Sequence, residues 1–128
     1  DATVITTVAG AEPLGPQNMA EALLIAPCTG NTLGKLAGGI TDTPVTMAAK
    51  SMLRTGRPVI LAISTNDGLA GAFQNIGRLM NVKNIYFVPF GQDDPLHKPT
   101  SLQADFTLLQ SAVESALRAR QLQPVLLT

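Results

Sequence analysis

Two short polar runs hold the residues whose types and spacing could meet a ligand. The first is Thr29, Gly30, Asn31 and Thr32, set directly after Pro27 and Cys28; the second is Ser64, Thr65 and Asn66, followed by Asp67 and Gly68. Hydroxyls and carboxamides both donate and accept hydrogen bonds, and small residues let a flat ligand approach the backbone closely. The chemistry on offer is recognition, by these side chains and by the free N–H groups of a helix start, which favour an anion such as a phosphate. No general base can be named in either run. The same residues also read as ordinary strand-to-helix loops, with a Thr or Asn capping the first helix and Asn66 or Asp67 capping the next.

Other reactive residues are few. Cys28 lies near a helix start that could lower its pKa, but a nucleophile needs a base and the single histidine, His97, belongs to a distant loop. Cys28 reads better as a small buried filler, and His97 as a solvated side chain. One Cys and one His assemble no metal site. Asp93 and Asp94 fit turn positions. Arg54, Arg57 and Arg78 read as surface charges, and Arg118 and Arg120 suit the last turn of a helix through its dipole.

Both polar runs need apolar elements to position them. Residues 23–26 form an apolar run short enough for a buried strand, which Pro27 should end by removing a backbone donor. A helix is expected over 32–40. Thr43 and Pro44 then mark the start of a second helix over 44–54, ended by Gly56. Residues 59–63 (VILAI) are a near-continuous apolar strand, as buried parallel strands are. A third helix over 69–80, a third apolar strand over 85–88, a loop over 90–100 and a fourth helix over 102–120 complete the series. Residues 3–8 (TVITTV) read as a short strand and 10–18 as a loop with two Pro and two Gly. An apolar tail over 124–127 closes the chain. Strands alternating with helices predict an α/β, Rossmann-like three-layer fold, a parallel sheet with helices on both faces. Right-handed crossovers would bring both polar runs to the carboxyl edge of the sheet, where such folds bind ligands.

Composition narrows the function. The 128 residues suffice for one domain with a core. Net charge is zero and only 14% of residues are charged, which argues against a nucleic-acid surface. No apolar run approaches the ~20 residues of a membrane span. A lone cysteine fits a reducing, cytoplasmic setting.

The segment IAPCTGNTLGKLAGGITD (25–42) resembles the flavin-binding segment of the homo-oligomeric flavin-containing Cys decarboxylases, whose turn runs Pro, small, small, Ala or Gly, Asn, Thr. More specifically, AEPLGP (11–16), TDTPVTMAAK (41–50), RPVILAISTND (57–67), KNIYFVPFGQDDP (83–95) and QLQPVLL (121–127) resemble the B-subunit family of dipicolinate synthases from spore-forming bacteria. The resemblance covers nearly the whole chain. It implies a flavoprotein fold with FMN as cofactor, bound by Pro27, Thr29, Gly30, Asn31, Thr32, Ser64, Thr65 and Asn66. It implies oxidation of dihydrodipicolinate to dipicolinate in the cytoplasm of the sporulating mother cell. The implied partners are an A subunit that carries NAD(P) and further copies of the same chain. The alternatives are a non-catalytic partner that stabilises or activates the A subunit, and a flavin-dependent decarboxylase or prenyl transferase. Proteins of this kind begin with a strand and a Gly-Ser/Thr-rich loop for the flavin phosphate; with no such loop, and beginning at Asp1, the chain reads as the later part of a longer protein.

Overall fold

A computed structural model describes residues 4–9 and 20–128, with side chains from Glu21 onward. The loop expected over 10–18 lies outside the described residues. The sheet runs β1 (Val4–Ala9), β2 (Ala20–Cys28), β3 (Val59–Thr65), β6 (Leu102–Ala104), β5 (Phe90–Gly91), with β4 (Ile85–Phe87) beside β3 off that path. Its heart is the expected parallel set. Leu23, Leu24 and Ile25 of β2 stand opposite Val59, Ile60 and Leu61 of β3, which in turn stand opposite Ile85, Tyr86 and Phe87 of β4. Helices cover both faces. α4 (Leu109–Leu117) packs on β2, β3 and β4, while α1 (Gly30–Gly38) touches both α2 (Pro44–Arg54) and α3 (Phe73–Met80).

The first five residues of β3 are all apolar because neither face of the strand meets water there. Val59, Ile60, Leu61, Ala62 and Ile63 are all fully buried, and each large side chain among them contributes roughly 1.5–3 kcal/mol by leaving solvent. α2 begins where its sequence dictates. Thr43 Oγ1 accepts from Thr46 N at 3.1 Å, Thr46 Oγ1 accepts from Thr43 N at 3.0 Å, and Pro44 fills the first helical position. Lys35 reaches from α1 to Asp42 at 2.9 Å, and that hydrogen bond holds the Asp42 carboxyl below its usual range.

Antiparallel strands extend the parallel heart. β1 pairs antiparallel with β2, Val4 opposite Ala26 and Thr7 opposite Leu23. β6 pairs antiparallel with the end of β3, Ser64 opposite Gln103 and Thr65 opposite Leu102, and with β5. The loop expected over 90–100 therefore opens with a strand residue pair, and the helix expected from 102 begins only at Leu109. Leu102 and Ala104 are buried while Gln103 between them is partly exposed, a period of two that belongs to a strand. Asp105 then accepts from Thr107 N at 3.0 Å and starts a 3-10 turn at Phe106. α4 stops at Leu117, so Arg118 and Arg120 lie past its last turn.

Three further boundaries differ from expectation. β2 runs on through Pro27 to Cys28, with a break in register between Ile25 and Cys28. α1 starts earlier, at Gly30. α3 starts only at Phe73, because Gly68 and Gly71 disfavour helix and Asp67 O instead accepts from Ala70 N and Ala72 N in successive turns. The apolar tail lies against the body: Phe90 N donates to Val125 O at 3.0 Å and Leu127 N to Phe90 O at 2.9 Å.

Candidate flavin site

The site builds upward from the end of β2. Cys28, opposite Ile63 of β3, is fully buried, and burial pushes its thiol up to about 12. Thr29 leaves the strand with extended backbone and caps α1, its Oγ1 accepting from Thr32 N at 3.4 Å. Gly30 and Asn31 supply the next two amides, and neither N–H finds an acceptor among the described residues. The Thr32 hydroxyl accepts from Thr29 Oγ1 at 3.4 Å, and the residue is buried beneath the turn. The Asn31 carboxamide is exposed and bonded to no described residue.

The second run leaves β3 beside it. Ser64 Oγ donates to Gln103 Oε1 at 2.7 Å, so this hydroxyl is engaged by β6. Thr65 Oγ1 donates to Asp67 Oδ1 at 2.5 Å. Asn66 is exposed; its backbone oxygen accepts from Thr100 Oγ1 at 2.6 Å, while its carboxamide is bonded to no described residue.

The two runs touch. A Cβ built on Gly30 would lie 2.8 Å from Thr65 Oγ1 and 3.3 Å from Asp67 Oδ1. The structure thus brings Thr29, Gly30, Asn31, Thr65 and Asn66 to one rim of the parallel heart, beside partly exposed Pro27. It turns Ser64 toward β6 and Thr32 inward. Neither Asn66 nor Asp67 caps α3, which has no side-chain cap. Sequence reasoning missed Gln103 as the partner of Ser64; the alternation of Leu102, Gln103 and Ala104 was the available signal. His97 is in a separate loop, its Nδ1 3.1 Å from Asp94 Oδ1. No group of three or more His, Cys, Asp or Glu among the described residues could hold a metal ion, and no helix among them is long and apolar enough to cross a membrane.

The sequence model of the Flavoprotein family matches residues 6–103, which include both polar runs. The chain belongs to the Flavoprotein family. Membership implies a flavin cofactor. Among relatives, this flavoprotein chain is 52% identical to the dipicolinate synthase B subunit of Bacillus subtilis (strain 168) over 122 residues, 95% of the chain and 61% of that protein. Its fold is similar to the crystal structure of the dipicolinate synthase B subunit from Bacillus halodurans C, with a TM-score of 0.86, 52% identity, and coverage of 92% of this chain and 60% of that one. The chain therefore spans about three fifths of the length of either relative. The resemblance read from the motifs stands.

Proposed function

We propose that the chain is part of a dipicolinate synthase B subunit, an oxidoreductase component that holds FMN at the rim where α1 meets β3. The reading rests on one observation: Gly30 packs against Thr65, which sets two exposed carboxamides bonded to no described residue, Asn31 and Asn66, on the same rim. The 52% identity to the B subunit of Bacillus subtilis supports it.

The residues fit a flavin. The polar edge of its ring mixes donors and acceptors, and a carboxamide supplies both. Asn31 and Asn66 orient that edge. Pro27 and Gly30 give a wall without long side chains, which lets a flat ring approach. Thr29 and Thr65 hold the two turns in place through their bonds to Thr32 and Asp67. Thr32 and Ser64 stiffen the turns from behind. A bound flavin supplies two-electron chemistry.

The proposed reaction converts dihydrodipicolinate to dipicolinate, the ring losing a hydride and a proton as it becomes aromatic. An A subunit carrying NAD(P) shares the step, further copies of this chain complete a homo-oligomer, and the setting is the cytoplasm of the sporulating mother cell. Titrating the purified full-length protein with FMN tests the reading. Saturable binding with a perturbed flavin spectrum is expected; a colourless protein that leaves the FMN spectrum unchanged overturns it.

A second reading, a non-catalytic partner that activates the A subunit, is favoured by the acid–base inventory. The Cys28 thiol is buried and pushed up to about 12, and His97 is paired with Asp94 in another loop. Dipicolinate formation by the A subunit, measured with the wild-type partner and with its Asn31→Ala variant, separates the two. Full activity with the variant favours the second.

A further inference from the structure

Asn66 reaches the rim one step past the end of a ladder. The antiparallel pairing of β3 with β6 stops at Ser64 opposite Gln103 and Thr65 opposite Leu102. Among the described residues Asn66 then makes one hydrogen bond, and its partner is Thr100, whose Oγ1 donates to the Asn66 backbone oxygen at 2.6 Å. Thr100 also takes the Leu69 N–H on its own backbone oxygen at 2.9 Å, so it brackets residues 66–69 from both ends. Inside the bracket, Gly68 packs on β6, a Cβ there lying 2.6 Å from Leu102 Cγ. The bracketing residue is itself well held. Its side chain is β-branched and stiff, and Pro99 before it has a fixed φ. The Pro99 oxygen accepts from Gln92 Nε2 at 3.0 Å, and Ser101 N donates to Lys98 O at 3.1 Å.

We infer that Thr100 is a positioning residue for the rim: its hydroxyl adds one bond where the ladder stops, and so holds the Asn66 carboxamide ready for the ligand that Asn31 also meets. An exposed turn residue without such a bond samples several conformations, because chain entropy opposes fixing any one of them. Affinity falls by the fraction of molecules in which the contact is not ready, and a hydroxyl-to-carbonyl hydrogen bond is strong enough to tilt that balance. Thr100 lies outside both polar runs and acts through Asn66 rather than on the ligand. This inference rests on the rim being a ligand site, as proposed above.

The test is a double-variant cycle on the full-length protein, read by FMN titration. Thr100→Val removes the hydroxyl and keeps the branched shape, while Thr100→Ser keeps the hydroxyl. Thr100→Val is expected to weaken FMN binding about fivefold, and Thr100→Ser to stay within about twofold of wild type. On an Asn66→Ala background the backbone bond survives but the carboxamide is gone, and there Thr100→Val is expected to cost nothing further. A merely structural role gives the same loss on both backgrounds, and that result overturns the inference. So does full affinity in Thr100→Val. A second readout needs no flavin: nitrogen-15 relaxation of the Asn66 backbone amide. Its order parameter is expected to stay near ~0.85 in wild type and Thr100→Ser and to fall below about 0.6 in Thr100→Val. An Asn66 amide equally ordered in all three overturns the inference. A wild-type protein that never binds FMN, with order at Asn66 still following the hydroxyl, upholds the role of Thr100 and refutes the flavin reading alone. If Thr100→Val fails to fold, Thr100→Ala carries the same comparison.

Discussion

Gly30 at the start of α1 stands directly against the Thr65 hydroxyl at the end of β3, at 2.8 Å from where a Cβ would be. This approach joins two segments far apart in sequence into one rim. It predicts the effect of Gly30→Ala. Alanine would favour the helix by up to about 1 kcal/mol, but overpacking typically costs ~1–3 kcal/mol. The second effect wins, because the Thr65 side chain is stiff and already bonded to Asp67. A net loss of about 1 kcal/mol is expected, a fall of about 4 °C in Tm, together with weaker FMN binding. Thermal unfolding and FMN titration check both parts; a stabilised variant with unchanged FMN affinity contradicts them.

Gly68 predicts a larger effect for a different reason. A Cβ there would lie 2.6 Å from Leu102 Cγ and 2.7 Å from Leu102 Cβ, and Leu102 is buried in β6 opposite Thr65. The overlap includes the branch point and root of a core side chain, which cannot swing aside. Gly68→Ala is expected to cost about 2–3 kcal/mol. Urea unfolding measures it, and a change below about 0.5 kcal/mol would mean that β6 is not seated against this turn.

Much of this fold was legible in the sequence because the controlling interactions are local. The apolar runs at 23–26 and 59–63 are short enough to read as buried strands, and Thr43 with Pro44 fixed the first turn of α2 through side-chain bonds three residues apart. Where the deciding partner is remote, the reading failed. Leu102, Gln103 and Ala104 sit next to a helical stretch and read as part of it; their strand is set by remote pairing, with Ser64 and Thr65 across 39 and 37 positions and with Phe90 and Gly91 of β5 on the other side. The site followed the same division. The strand, polar turn and helix order revealed both runs. The placing of Asp67 beside Gly30, and the engagement of Ser64 by Gln103, depend on how the elements pack and leave no local trace.

Cys28 predicts an alkaline weakness. Its thiol is held up at about 12 in the folded chain against 9.0 for an ordinary thiol. Between those values the unfolded chain has released the proton and the folded chain has kept it, so stability falls as pH rises. The slope from this group approaches about 1.4 kcal/mol per pH unit above pH ~9. Urea unfolding of wild type and Cys28→Ala between pH 8 and pH ~10.5 should show a gap that shifts in favour of the variant as pH rises. A gap independent of pH contradicts the burial argument. The native thiol should also resist alkylation at pH ~8, reacting only once the chain unfolds.

The central claim is that Asn31 and Asn66 act on one ligand, and FMN titration of full-length wild type, Asn31→Ala and Asn66→Ala tests it most directly. Both carboxamides are exposed and bonded to no described residue, so each variant should keep its stability within about 0.5 kcal/mol. Each should weaken FMN binding by roughly tenfold, the value of one well-placed hydrogen bond. Unchanged FMN affinity in both variants, with the fold intact, would contradict the account.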